Sequence, residues 1–159
     1  MLMYDRFDAP HEFVYPEDGI FKLRGILSDK QIRTPNNRTP EGDAVRRVIK
    51  RGFTSLTTVG DLSGFKSSIR RYFAIGKSNS VEVAIIPHSN NSGPFSKKGD
   101  SGSIIVDAMG RFAALLTGGT GQTDASDITY GTPMFWLWLV ILAKFPGANL
   151  YWDDKDVPT

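Results

Sequence analysis

The stretch Ser96-Lys97-Lys98-Gly99-Asp100-Ser101-Gly102-Ser103-Ile104-Ile105-Val106 sets a serine between two glycines, on a turn that runs straight into an apolar strand. A serine hydroxyl is a weak nucleophile at neutral pH. Acyl transfer by it needs an adjacent base and N–H donors aimed at the developing oxyanion. The flanking glycines let the backbone turn tightly enough to present the Ser101 hydroxyl together with the amides of Gly99 and Ser101. Asp100, between them, can hold the turn by accepting a hydrogen bond or an ion pair. Taken alone, the string also suits an ordinary Asx-type turn, which uses the same residues.

Beyond the turn, residues 103–107 and 112–117 read as two strands joined at Asp107-Ala108-Met109-Gly110-Arg111, where Gly110 supplies the positive φ of a tight hairpin. Upstream lie four β-like runs, 45–51, 54–62, 65–75 and 81–87, interrupted by Gly52, Gly60, Gly64 and Gly76. In the last of them Val81, Val83 and Ile85 alternate with Glu82 and Ala84, the period of a half-buried strand. Residues 127–130 supply a short strand before Pro133. MFWLWLVILAKF then lacks strict alternation and predicts a closing helix, although Val140 and Ile141 with two tryptophans also suit a strand. Many short strands, many glycines and one terminal helix predict an all-β antiparallel barrel or sandwich. Residues 1–44, with four prolines and the polar TPNNRTPEGD segment, read as an irregular arm with room for one strand; 45–150 form the barrel and 151–159 an acidic tail.

A chain of 159 residues that is 40% hydrophobic is one ordinary domain. Its 19 basic and 17 acidic side chains nearly balance, and Arg46, Arg47, Lys50, Arg51, Arg70 and Arg71 are interleaved with Val48, Ile49, Ile69 and Tyr72. That pattern predicts solvated strand faces rather than a nucleic-acid groove. With no cysteine the chain has no disulfide, thiolate chemistry or cysteine-rich zinc site, and the compartment stays open. The first residues lack the apolar core of a signal peptide, and the run 134–143 is shorter than the ~20 residues that cross a bilayer, so a soluble chain with no membrane partner is expected. The tail DDKD, Asp153 to Asp156, lacks the glycine and distal glutamate of an EF-hand loop. No metal and no cofactor are expected. Phe135, Trp136 and Trp138 read as a buried helix face rather than a ligand cage.

In order, GDSGSIIV, RFAALLTGGT, DITYGTP and MFWLWLVILAKF resemble the second barrel of trypsin-like serine peptidases, and VIKRGFTSLTTVGDLSGF resembles the first strands of that barrel in the disulfide-free members. The resemblance covers about residues 45–150. It implies a single antiparallel six-stranded Greek-key barrel, the second half of a double barrel, with a short C-terminal helix. Ser101 then matches the nucleophile, Gly99 and Ser101 the oxyanion hole, and Asp100 the support of the turn. Phe95 and Ser96 fall at the floor of the specificity pocket. Thr117, Gly118 and Gly119 match the strand that lines it and pairs with substrate backbone, and Thr129 matches the opposite wall. With Phe95 at the floor, no carboxylate stands where a preference for basic residues would need one.

The family's histidine base and its aspartate come from the first barrel, ahead of the serine. The two histidines here fit neither role: His11 lies in DAPHEFVYP without a preceding strand, and His88 ends a strand that leads into the pocket loop. The expectation is therefore a peptidase homologue reduced to its second barrel, lacking base and aspartate and inactive by itself. Two alternatives stand beside it. One is a noncatalytic module that holds an extended peptide along 117–119. The other is half of a split enzyme, completed by a partner on the apolar face where the first barrel is missing.

Overall fold

The computed structural model describes residues 20–35, 37–38, 42–89, 91–120 and 128–151. Among them run α1 (Asp29–Arg33), β1 (Asn37–Arg38), β2 (Ala44–Gly52), β3 (Leu56–Phe73), β4 (Gly76–Pro87), β5 (Ile104–Asp107), β6 (Phe112–Thr120), β7 (Ile128–Pro133) and α2 (Met134–Lys144). The ladders run β2-β3-β4-β7-β6-β5. Strand β5 then pairs back onto β2 through Val48↔Asp107, Ile49↔Val106 and Lys50↔Ile105. That last ladder closes an antiparallel six-stranded barrel and decides against an open sandwich. The step from β4 to β5 passes over β7 and β6, a Greek-key connection, while β1 only extends β2 at Asn37↔Val45 and Arg38↔Ala44.

Alternation fills the barrel. Val48, Leu62, Val83, Ile85, Ile105, Ala114 and Leu116 point inward around Phe95 and are almost wholly buried. Each large apolar side chain removed from water in this way stabilises the fold by about 1.5–3 kcal/mol. Small residues make room where strands crowd: a Cβ at Gly131 would stand 2.9 Å from that of Ala114, and one at Gly60 would stand 2.6 Å from the Phe95 ring.

Residues 20–35 are stapled to the barrel. Arg24 and Leu27 donate backbone hydrogen bonds to the carbonyls of Gly110 and Phe112, and Phe112 returns one to Gly25. Ser28 then caps α1 in a reciprocal box, with its hydroxyl taking the Gln31 amide and the Gln31 side chain taking the Ser28 amide. This single turn of helix, absent from the sequence expectations, carries Ile32 into the same core as Leu27.

The strand boundaries differ from expectation in one place. The runs 54–62 and 65–75 are one strand, β3, bent by a bulge between Leu62 and Lys66 that Gly64 occupies. Gly60 and Gly64 permit close approach and a bend rather than ending the strand.

The cations of β2 also correct the sequence reading. Arg46, Arg47 and Lys50 are buried, not solvated. Each meets its own aspartate: Arg46 with Asp107, Arg47 with Asp61 and Lys50 with Asp100. Charge interleaved with apolar residues suits a solvated face, but a barrel strand has neighbours on both sides, and here those neighbours supply carboxylates.

The segment after Pro133 is a helix. Met134, Leu137 and Trp138 pack with Phe21, Leu23, Phe112, Leu150 and Tyr151 on the outside of β5 and β6. Trp136 does not join them and is 53% exposed, with Leu139 and Val140 beside it on the outer face. Among the described residues no helix is long and apolar enough to cross a membrane.

Candidate active site

Asp100 organises the serine turn. Its carboxylate is fully buried and accepts from the backbone amides of Thr54 (2.8 Å), Ser55 (3.1 Å) and Lys97 (2.9 Å), and from the Ser55 hydroxyl. Lys50, at the end of β2, places its ammonium 3.3 Å from the same carboxylate and donates to Ser55 Oγ. The ammonium also lies 5.5 Å from the centre of the Phe95 ring. The turn at 53–55 thus binds the turn at 97–101 through hydrogen bonds to Asp100, and Lys50 of β2 supplies the counter-charge.

Burial by itself raises the Asp100 pKa, but hydrogen bonds from Ser55, Lys97 and Thr54 outweigh it and hold the carboxyl well below the usual range. Burial pulls the Lys50 ammonium down, and Asp100 partly restores it. Two backbone choices make the pair possible. A Cβ at Gly52 would stand 2.4 Å from Asp100 Oδ1, and at Gly99, whose φ is +104°, it would meet the Thr54 hydroxyl. Thr54 itself donates to the Lys98 carbonyl at 2.9 Å.

Ser101 is left exposed at the tip. The Asp100 amide is spent on the Lys97 carbonyl, that of Gly102 on Leu116, and that of Ser103 on Asp100. Among the described residues the amides of Gly99 and Ser101 donate to nothing. Those two N–H groups are the ones the resemblance assigns to an oxyanion hole.

The other predicted residues divide into two groups. Ser96 and Thr129 come together, their buried hydroxyls 2.6 Å apart, and Phe95 lies inside the barrel with only 1% of its surface exposed. Thr117, Gly118 and Gly119 continue β6 directly past Leu116, whose N–H and C=O both bond the serine turn. Beyond that point β6 keeps β7 on one side, with Gly118↔Tyr130 and Gly119↔Thr129, and its other edge carries no strand among the described residues.

His88 is the one histidine among the described residues, and its Nδ1 faces Asp61 Oδ2 at 3.3 Å, not Ser101. Asp61 is shared with Arg47 at 3.1 Å. His11 and Asp153 to Asp156 lie outside the described residues. Within the described residues no group of three His, Asp or Glu could hold a metal ion.

Sequence reasoning missed Lys50, whose burial depends on contact with a turn some fifty residues away, as Asp100 shows. Its alternation with Val48 and Ile49 reads as a solvated face, and nothing within a few residues of Lys50 marks it for burial.

No protein-family model and no curated protein matches the chain. Among solved structures it is similar to the crystal structure of the chymotrypsin of Cellulomonas bogoriensis, with 18% identity and a TM-score of 0.43, over 60% of this chain and 46% of that one. The match spans less than half of the chymotrypsin chain.

Proposed function

We propose that the chain is a distant relative of the trypsin-like serine peptidases that carries the serine turn and peptide cleft of the second barrel. By itself it holds extended peptides and does not hydrolyse them. The observation that carries this reading is the buried Asp100, stapling a turn whose tip offers Ser101 and two unspent amides beside the open edge of β6. In this reading Ser101 is the nucleophile, Gly99 and Ser101 supply the oxyanion donors, Thr117, Gly118 and Gly119 line the cleft, and the buried Ser96–Thr129 pair backs it. Phe95 supports its floor from within the core.

The base is what the described residues do not place at Ser101. Without it, the oxyanion donors and binding retain only about 10³–10⁴-fold over water. Labelling with a fluorophosphonate probe near neutral pH, with Ser101→Ala as control, tests this. The folded protein is expected to remain unlabelled; labelling abolished in the control shows instead that a base reaches Ser101.

A second reading has its own observation. Phe53, on the turn that binds Asp100, is 91% exposed, and Leu56 beside it is exposed as well. Apolar side chains so close to an incomplete serine site suit a partner that covers them and brings the histidine. Failure of the folded chain to bind an apolar dye, together with monomeric behaviour at high concentration, removes that reading.

A further inference from the structure

We infer that the open edge of β6 at Thr117–Gly119 selects extended peptides bearing an acidic side chain, with Arg71 as the selecting residue. The inference rests on the peptide cleft proposed above and assigns its preference.

Three observations meet at this edge. The β6–β7 register passes from Leu116↔Gly131 to Gly118↔Tyr130, so Thr117 is a bulged residue with no partner of its own in the ladder. Its carbonyl is taken instead by Arg71 Nη2 at 3.2 Å. Gly118 has no Cβ, and one built there would stand 3.0 Å from the same nitrogen, so the guanidinium lies against the β6 backbone.

Arg71 comes from the far part of the β3–β4 hairpin, where it faces Ser78, beyond the last β4–β7 rung at Val83↔Gly131. The bulge between Leu62 and Lys66 puts two extra residues on β3, and such insertions bend a strand and increase its twist. Arg71 is the hairpin side chain that reaches β6.

The charge there is one-sided. Arg70, Arg71 and Lys77 are exposed on the hairpin, whereas Glu82, its acid, is buried. No carboxylate among the described residues pairs with Arg71. A guanidinium has five N–H donors in a planar fork that matches a carboxylate. One of these is spent on Thr117, which leaves the others to meet a peptide laid along the edge. A glutamate or aspartate side chain on that peptide gains a charge-assisted hydrogen bond, and a lysine meets like charge.

The test uses hexapeptides of alanine and serine carrying a single Glu, Gln or Lys at each position in turn, labelled with an uncharged dye and followed by anisotropy at low salt. Wild type is expected to prefer Glu over Gln by about three- to fivefold at one position, the range of a partly exposed ion pair. The preference should shrink with added salt, persist in Arg71→Lys, vanish in Arg71→Gln and turn toward the Lys peptide in Arg71→Glu. If peptides bind but Glu and Gln bind alike, or the preference survives Arg71→Gln, the assignment to Arg71 is overturned and the cleft stands. If the folded protein binds none of the peptides, the cleft reading falls and this inference falls with it.

Discussion

At the scale of single residues, the serine turn depends on a carboxylate that never reaches solvent. Asp100→Asn leaves the Lys50 ammonium buried without its counter-charge and should cost about 3–5 kcal/mol in urea unfolding. A loss below about 1 kcal/mol would mean that Lys50 finds another partner or reaches water. The pH dependence follows from the depressed Asp100 pKa. A carboxyl with a folded pKa below its unfolded value contributes stability that is fully present above the unfolded value and is lost as pH falls through the folded one. The wild type should therefore begin to lose this contribution as pH falls below the unfolded carboxylate value of about 4 and lose all of it only in strong acid, and Asp100→Asn should flatten that part of the profile. Gly52→Ala is predicted to do similar damage from the other side, because its methyl overlaps Asp100 Oδ1. Lys97→Ala, an exposed residue whose amide does the bonding, should change stability by no more than about 0.5 kcal/mol.

At the scale of elements, α1 and the β3–β4 hairpin represent opposite regimes. The helix is five residues long and would not form alone. It exists because Ser28 and Gln31 cap it and Ile32 is buried. Ile32→Ala should cost about 2–5 kcal/mol, and Ser28→Ala about 1 kcal/mol, by thermal or urea unfolding. The distal hairpin, residues 66–82, runs past the last rung with β7 and leaves Tyr72, Ile75 and Val81 exposed. Its amides are expected to exchange with deuterium well before those of β5 and β6, whose ladders lie in the barrel wall. Equal protection in both would show that the hairpin is packed down along its length. The strands themselves were legible from their apolar runs and from Gly110, whose φ is +77° at the predicted hairpin, but the alternation expected at 81–85 holds only for Val83 and Ile85: Val81 lies beyond the last rung with β7 and is exposed, while Glu82 is buried. The α1 turn was not, because DKQIR has too few residues to show a period.

At the scale of the whole molecule, closure of the barrel by β2 and β5 is the step that makes one wall of residues distant in sequence. It buries Arg46, Arg47 and Lys50 beside Asp107, Asp61 and Asp100, three cations on one strand answered by acids from β5, from β3 and from the serine turn. Buried pairs of this kind are weak sources of stability but costly to break, so they fix which arrangement of strands is tolerated. The sequence by itself determined the local geometry. Glycine placement and the period of two produced the strands, the serine turn and the hairpin at 107–111, since these follow from backbone sterics and side-chain alternation within a few residues. It also carried the order of motifs that resembles a peptidase barrel, on which the proposed function draws. Only the tertiary structure decided that Lys50 is the counter-charge of Asp100, that Arg71 reaches Thr117, and that His88 faces Asp61 instead of the serine. Each of these is a meeting of side chains from separate strands. The register of closure and the bend of β3 set such meetings, and neither leaves a periodic trace in the chain.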